Sequence, residues 1–277
     1  MECSVVLRLP VSSIVTDQGI VHYEAYGRGQ PVILLHGWLG SWGYWLRTME
    51  TLKSEYRCYA LDFWGFGDSG KRRSSYHVND FVGLVDQFMD RLGIEAAPIV
   101  GHSMGGTVAM CLALTKPKRV QRVIVVGSPV VGDSLNIFLR LAGKPWIASI
   151  VWHLPVALQF GIKVFSPLVV KNWNEWYNMI TRDLSQTTLE AFFSSINSLH
   201  KTDLSAQLPG ITAPVMGIYG VSDNVVAPNQ ANLIAKNAPI SRVKMMSGSG
   251  HFPMLDEPQA FNNYLAEFLS FKFATAN

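Results

Sequence analysis

Short, almost continuous apolar runs recur along the chain and alternate with longer stretches of amphipathic pattern. Six of these runs read PVILLHG, CYALDFWG, APIVGHS, VQRVIVVGS, APVMGIYG and RVKMMSG. Runs of this length, rich in Val and Ile, are typical of strands that are buried on both faces of a parallel sheet. Two further runs on either side of Gly19, VSSIVTD and IVHYEAYG, predict an N-terminal hairpin.

Amphipathic segments separate these predicted strands. The stretch YHVNDFVGLVDQFMDRLG places apolar side chains at helical spacing, and Gly93 is placed to end the helix. Alternating strands and helices predict an α/β fold, with a mostly parallel central sheet flanked by helices. Between residues 130 and 205 no strand-like run appears. We therefore predict two core segments, 1–129 and 206–277, separated by an inserted helical cap over 130–205.

Composition narrows the class of protein. With 277 residues, 48% of them hydrophobic and 16% charged, the chain can bury a sizeable core. A net charge of +3 is too small to indicate a nucleic-acid partner, so none is expected. Cys3, Cys58 and Cys111 have no metal-ligand spacing, and the latter two lie in apolar runs, which favours buried thiols. The N-terminus lacks a signal-peptide pattern, and we expect a cytoplasmic protein.

A long uncharged stretch, residues 145–162, falls within the predicted cap. Pro155 and His153 interrupt it, which favours an apolar lid over a membrane-spanning helix. Across 134–182, five basic residues accompany one acidic residue, Glu175. Two interpretations stay open. Either the apolar residues pack the cap onto the core, or some remain exposed around the pocket and make weak contact with lipid surfaces.

The segment PIVGHSMGG contains the pattern G-x-S-x-G at the junction of a predicted strand and helix. In that context the pattern predicts a nucleophile elbow, a strained turn that exposes the Ser103 hydroxyl above the sheet. Gly101, Gly105 and Gly106 supply the room that neighbouring backbone needs there. The pattern also fits an ordinary strand-to-helix turn, so the interpretation depends on partners elsewhere in the chain.

A serine hydroxyl needs a base to remove its proton, and His251 is the expected base. It lies in SGSGHFPMLDEP, directly after the last predicted strand. The carboxyl ends of the strands are where open α/β sheets bind their ligands. Of the other six histidines, His36 directly precedes Gly37 and is expected to make a structural hydrogen bond.

The imidazole in turn needs an acid that holds its tautomer and stabilises its cation. Asp223 follows the strand APVMGIYG, and gives the order Ser103, Asp223, His251 that this scaffold uses. Asp133 also follows a strand end and is the rival acid. Asp62 is expected to be structural.

Acyl transfer places negative charge on the substrate oxygen, which requires donors fixed in advance. The backbone N–H of Met104 is one expected donor, and that of Trp38, in HGWLG, is the other. Because the backbone donates, the side chain of Trp38 is free to form a wall of the substrate pocket. We expect three further residues to line this pocket: His102, Trp146 and Trp152.

The chain resembles the α/β-hydrolase fold superfamily, in the group of capped serine esterases and lipases. The matching motifs, in the expected order, are HGWLG, LDFWGFGDSG, VGHSMGG, GVSDNVVAP and GSGHFPMLDEP. The resemblance implies the triad and the oxyanion donors given above. It also implies exclusion of the haloalkane dehalogenase and epoxide hydrolase branches, which carry aspartate in place of Ser103.

The expected activity is hydrolysis of small carboxylic esters with an apolar acyl or alcohol part, through an acyl-enzyme. The alternatives are a carbon–carbon bond hydrolase or a perhydrolase-type enzyme of the same fold, and a ligand receptor with slow turnover. The sequence contains no metal-ligand cluster, dinucleotide fingerprint or phosphate loop, so no cofactor or metal is expected.

Overall fold

The computed structural model describes residues 12–71, 75–144, 146, 149 and 152–273. It contains a sheet of eight strands: β1 (Ser12–Thr16), β2 (Gly19–Gly27), β3 (Gln30–Leu35), β4 (Tyr56–Leu61), β5 (Ala97–His102), β6 (Val120–Val126), β7 (Val215–Gly220) and β8 (Ser241–Met246). The six apolar runs predicted to be strands correspond to β3–β8. Residues 1–11 lie outside the described residues. They include Cys3 and most of the N-terminal segment in which no signal-peptide pattern is predicted.

The spatial order of the strands is β1-β2-β4-β3-β5-β6-β7-β8. β1 pairs with β2, and β2 with β4, in antiparallel register, whereas all pairings from β4 through β8 are parallel. The hairpin around Gly19 is confirmed, since Thr16 pairs with Gly19 across the turn. The mostly parallel sheet confirms the predicted fold class.

Ten α-helices are described: α1 (Leu46–Leu52), α2 (Val78–Arg91), α3 (Met104–Thr115), α4 (Ile137–Ala142), α5 (Pro155–Val169), α6 (Trp173–Ser185), α7 (Leu189–His200), α8 (Gln230–Asn237), α9 (Pro253–Asp256) and α10 (Pro258–Ser270). The predicted helix before Gly93 is α2. Gly93 has a φ of +65°, a left-handed conformation that glycine adopts easily at the end of a helix.

The core lies on both faces of the sheet. Every residue of β5 and of β7 is buried, which is why their sequences are continuous apolar runs. α2 buries one face, including Phe81, Val85 and Phe88, and leaves its polar residues outside. Cys58 and Cys111 are buried free thiols, as predicted.

Helices α4–α7 lie between β6 and β7, and no strand is described from residue 127 to 214. An isolated antiparallel bridge joins Val131 to Asp203 near the two predicted ends of the cap. The limits 130–205 themselves stay a prediction. Part of the uncharged stretch 145–162 lies outside the described residues. Within the part of the chain that is described, no helix combines the length and the apolarity that crossing a bilayer requires.

Candidate active site

The turn between β5 and α3 holds Ser103 in a strained conformation. Its φ of 51° and ψ of −117° lie where few residues other than glycine are found. The backbone around it is packed too closely for side chains. A Cβ on Gly101 would lie 2.2 Å from the Gly105 backbone, and one on Gly105 would lie 2.5 Å from the Leu35 carbonyl oxygen. The geometry is that of a nucleophile elbow, with the serine at the carboxyl end of the central strand.

His251 and Asp223 form a buried pair at the same edge of the sheet. The His251 Nδ1–H donates to Asp223 Oδ2 over 2.8 Å. The other carboxylate oxygen of Asp223 accepts the backbone N–H groups of Val225 and Val226 at 2.8 and 2.9 Å. These bonds fix the carboxylate and, through it, the tautomer of the imidazole. His251 Nε2 is then the nitrogen that can accept a proton.

Gly127, at the end of β6, makes room for this pair. A Cβ there would lie 3.2 Å from His251 Nδ1 and 3.3 Å from Asp223 Oδ2. Sequence reasoning missed this residue, although a glycine closing a predicted strand was a visible signal. Its φ of +53° gives it a second reason to be glycine.

His102, the residue before Ser103, is in contact with His251. The ring of His102 is 4.7 Å from the ring of His251, measured between centroids. Among the hydrogen bonds of the described residues, none is made by Ser103 Oγ. The described structure therefore contains the hydrogen bond between His251 and Asp223 and none between Ser103 and His251. Catalytic hydrogen bonds of free enzymes are often long or poorly aligned and tighten when substrate binds.

The rival acid has a different partner. Asp133 Oδ1 accepts a hydrogen bond from His200 Nε2 over 2.9 Å and lies 3.7 Å from Arg140. Its side chain is 75% exposed, whereas that of Asp223 is fully buried. An exposed carboxylate bound to another histidine is poorly placed to hold His251.

The loop after β3 packs against the elbow. A Cβ on Gly37 would lie 2.7 Å from His102 Nδ1 and 3.0 Å from Ser103 Cβ. The loop turns sharply, with Leu39 at a φ of 55°. Neither the Trp38 N–H nor the Met104 N–H donates a hydrogen bond to any described residue. Two unpaired backbone donors beside the serine are what an oxyanion hole requires, although their assignment stays a prediction.

Aromatic rings connect this loop to the predicted cap. The Trp38 indole N–H donates to the Phe192 carbonyl oxygen over 2.8 Å, and the two rings lie 4.7 Å apart. Trp152, half-buried in the cap, lies 5.7 Å from the Phe192 ring. Trp146, by contrast, is 65% exposed. Trp38 and Trp152 thus surround a common cap residue, and Trp146 lies towards solvent. The roles of all three in a pocket stay predictions.

His102 packs against His251, the expected base. It is buried, and its Nε2–H donates to the His251 carbonyl oxygen over 2.9 Å. Burial, together with the nearby His251, holds the pKa of His102 well below its usual range, so the ring is neutral. Phe252, which the sequence did not single out, lies 4.5 Å from the ring of His102 and 5.1 Å from that of His251. His102 therefore packs against His251 and Phe252, and its predicted role in the substrate pocket stays a prediction.

His36 has the structural role that its position suggests. Its Nδ1–H donates to the Gly37 carbonyl oxygen over 2.7 Å, and its Nε2 accepts the Phe63 N–H over 2.9 Å. Burial lowers its pKa, so it is neutral and holds the two loops together.

Asp62 is also structural, as expected. Its carboxylate accepts the backbone N–H groups of Trp42 and Asp68 and the Nδ1–H of His22, all within 3.0 Å. His22, Asp62 and Asp68 have the atom types of metal ligands. Three hydrogen bonds already occupy the Asp62 oxygens, and the group therefore holds together the loop that follows Trp38 and the loop at Asp68.

A buried carboxyl group from the cap also meets that loop. Asp183 of α6 is 4% exposed, and its Oδ2 accepts a hydrogen bond from Ser41 Oγ over 3.1 Å. Desolvation raises the pKa of this carboxyl group to about 7, against a weaker lowering effect of the Ser41 hydrogen bond. The sequence offered no signal for it, since a lone aspartate in an amphipathic helix is usually solvated.

Comparisons with known proteins identify the family to which this fold belongs. A family model described as the alpha/beta hydrolase fold matches residues 30–258. The chain therefore belongs to the α/β hydrolase fold family.

Two named relatives are 26% identical to this chain. One is a pimeloyl-[acyl-carrier protein] methyl ester esterase of Vibrio campbellii, where the match covers 90% of this chain and 98% of the relative. The other is epoxide hydrolase 4 of Mus musculus, with 92% and 78% covered. Among solved structures, a thermophilic esterase from Thermogutta terrifontis superposes with a TM-score of 0.81 at 20% identity, over 94% of this chain and 98% of that one. This last likeness shows the shared fold.

Proposed function

We propose that this hydrolase cleaves carboxylic esters with an apolar acyl or alcohol part, using Ser103, His251 and Asp223. The observation that carries the proposal is the buried His251–Asp223 pair, at 2.8 Å, beside a strained serine turn at the same sheet edge. Ester hydrolysis is also the activity in the name of the Vibrio campbellii relative. The epoxide hydrolase relative is weaker support for its own reaction, because the expected nucleophile here is a serine.

In the proposed mechanism, Ser103 Oγ attacks the ester carbonyl while His251 Nε2 takes the hydroxyl proton. The charge that forms on the carbonyl oxygen is held by the N–H groups of Trp38 and Met104. The C–O bond to the alcohol breaks, and the alcohol leaves with the proton from His251. Water then attacks the acyl-enzyme, gives its proton to the same histidine, and releases the acid and free Ser103.

Asp223 acts by holding the imidazole and stabilising its cation. Its Oδ2 is bound to His251 and its Oδ1 to two backbone N–H groups, so it stays in place through the cycle. The aromatic side chains where the cap meets the core, Trp38, Trp152 and Phe192 among them, suit an apolar substrate part.

The test is a series of p-nitrophenyl esters with the wild-type protein and four variants. Ser103→Ala and His251→Ala should each lower kcat/KM by several orders of magnitude, because the groups act as a unit. Asp223→Asn should lower kcat about 10⁴-fold by favouring the wrong tautomer. Asp133→Asn is the matched control and should leave the rate within about twofold.

Thermal melts show whether the variants fold. A fluorophosphonate probe should label Ser103 of the wild type and of Asp133→Asn, and it should leave Ser103→Ala unlabelled. If Asp133→Asn were the damaging change, the acid would be Asp133. A wild type that takes the probe and leaves every ester intact would favour the carbon–carbon hydrolase or perhydrolase alternatives. A wild type that neither takes the probe nor hydrolyses esters would favour a receptor.

A further inference from the structure

Two cap helices share an exposed apolar face. We call it the α4–α5 face, and it consists of Ile137 and Phe138 of α4 and Phe160, Val164, Phe165 and Leu168 of α5. The exposed fractions of these six residues run from 50% to 69%. The rings of Phe138 and Phe165 lie 5.8 Å apart, so the two helices present one continuous surface. Apolar surface of this extent usually marks an interaction site.

The pattern along α5 is that of a helix with apolar residues on its outside. At about 100° per residue, Phe160, Val164, Phe165 and Leu168 fall within about 140° of arc. Ser166, on the other side of the helix, is buried. The outward face is therefore as apolar as a face that packs on a protein core, yet it meets solvent.

Basic residues outnumber acidic ones along the helices of this face; Asp133 lies beside Arg140, and Asp256 lies beside Lys171. Between residues 134 and 182 there are five basic residues and one acidic residue, Glu175, which is paired with Arg47 over 2.8 Å. Lys144, Lys163 and Lys171 are exposed and make no ion pair with any described residue. Lys163 lies on α5, and the other two follow the ends of α4 and α5. An apolar helix face with lysines at its edge has the chemistry that binds anionic lipid headgroups and the acyl chains below them.

A second copy of the chain fits this face less well than a lipid surface. Self-association through the α4–α5 face would bring the unpaired lysines of both copies together, and like charges at an interface oppose association. An anionic bilayer offers the opposite charge as well as an apolar interior.

The C-terminal turn of α5 is bonded directly to the catalytic loops. The Leu168 carbonyl oxygen accepts a hydrogen bond from Asn224 Nδ2 over 3.1 Å, beside Asp223. The Val169 carbonyl oxygen accepts the backbone N–H of His251 over 3.2 Å. The side chain of Leu168 therefore belongs to the α4–α5 face, and its carbonyl oxygen binds Asn224, the residue after Asp223.

Asp256 reinforces this junction. Its Oδ1 accepts the Lys171 N–H over 2.7 Å, and its Oδ2 accepts the Gly250 N–H over 2.8 Å. The end of α5 is thus joined to the residue before His251 as well as to His251 itself. A surface that binds the α4–α5 face would lie next to the loops that carry the acid and the base.

We propose that the α4–α5 face docks onto an anionic lipid bilayer and that the triad takes its ester from that surface. The second half rests on the proposed esterase function, whereas the docking does not. Docking brings a membrane-dissolved ester to the enzyme at high local concentration. It therefore raises the rate on esters held in vesicles and leaves the rate on water-soluble esters unchanged.

The binding experiment uses Ser103→Ala protein, which cannot consume the lipid, and sedimentation with phosphatidylcholine vesicles with or without phosphatidylserine. We expect binding to the anionic vesicles, weakened by salt. The double variant Phe160→Ser/Val164→Ser should lower the partition coefficient at least about tenfold. Lys163→Gln and Lys171→Gln should each lower it about fivefold. The matched control is Val15→Ser/Ile20→Ser, which removes two exposed apolar side chains from the β1–β2 hairpin and should bind normally.

The activity experiment compares Phe160→Ser/Val164→Ser with the wild type on a short soluble ester and on a long-chain ester in anionic vesicles. The variant should lose at least about tenfold on the vesicle ester and stay within about twofold on the soluble one. Equal binding of the hairpin control and the face variant would overturn the docking. The docking would also be overturned if the wild type did not bind vesicles and formed a dimer that Phe160→Ser/Val164→Ser converted to a monomer. Vesicle binding without ester hydrolysis would leave the docking intact and refute only the proposed function.

Discussion

Asp183 should make the stability of this protein fall as the pH rises through neutrality. Its carboxyl group comes from α6, in the predicted cap, and is buried beside Ser41 and Tyr44. Asp62 and Asp68 oppose its ionisation, and Arg182 favours it more weakly than burial opposes it. The pKa rises from 3.8 to about 7 on folding. The folded state therefore holds the proton more tightly than the unfolded state does.

The magnitude follows from linkage. A pKa shift of about 3 units corresponds to ~4 kcal/mol, at about 1.4 kcal/mol per unit. Above pH 7 the folded protein pays this full cost, because the carboxyl group must ionise in a buried place. Near pH 5 the folded group is still protonated while the unfolded one is largely ionised, and the cost is roughly 2 kcal/mol. Well below pH 4 it vanishes.

Asp183→Asn removes the ionisation and keeps an oxygen that can accept the Ser41 hydrogen bond. The free energy of unfolding of the variant, minus that of the wild type, should grow by ~2–3 kcal/mol between pH 5 and pH 8. Urea unfolding followed by tryptophan fluorescence at several pH values measures this difference. Contributions of other titrating groups are common to both proteins and cancel.

The control is Asp203→Asn, at an exposed aspartate whose pKa is lowered by its hydrogen bonds to Ser205. Its contribution is lost only as the pH falls into the acid range, so its difference from the wild type should be flat between pH 5 and 8. A flat curve for Asp183→Asn as well would mean that the carboxyl group is solvated or charged in the fold, and would refute the reasoning.

Two further predictions concern glycine and cysteine. Gly83→Ala lies within α2, where a Cβ would meet no other atom within 4 Å, and it should raise the free energy of unfolding by about 0.5–1 kcal/mol. Gly101→Ala should instead prevent folding or abolish activity. Thermal melts and ester assays measure both effects, and equal effects of the two substitutions would contradict the packing argument. Burial raises the pKa of the Cys58 thiol to about 12 and that of Cys111 to about 11, so iodoacetamide at pH 8 should modify them only after unfolding. Peptide mass spectrometry checks this, and rapid labelling of the folded protein would count against it.

The sheet and the elbow could be predicted because local rules determine them. A strand buried on both faces must be apolar throughout, as β5 and β7 are. Gly101 and Gly105 are required by backbone that passes within 2.5 Å of where their side chains would be. The pairing of His251 with Asp223 followed from their positions at strand ends, because parallel strands bring their carboxyl ends to one edge.

The interior surroundings of the site could not be predicted in the same way. Phe252 packs on both His102 and His251, yet any apolar residue would have suited its place in the pattern. Asp183 looks like a surface residue until α6 is placed against the loop at Ser41. Burial of a polar group depends on which segments meet, and that is a property of the packed chain.

The connection between α5 and the loops of Asp223 and His251 could not be predicted from the sequence, for a further reason. Leu168 and Val169 bind Asn224 and His251 with their backbone carbonyl groups. Because every residue carries a carbonyl group, no side-chain pattern marks these two positions. Side chains on the outside of α5 can therefore vary without breaking these bonds. The proposed docking therefore places demands only on the outer side chains of α5, because the end of the same helix stays joined to His251 through backbone groups.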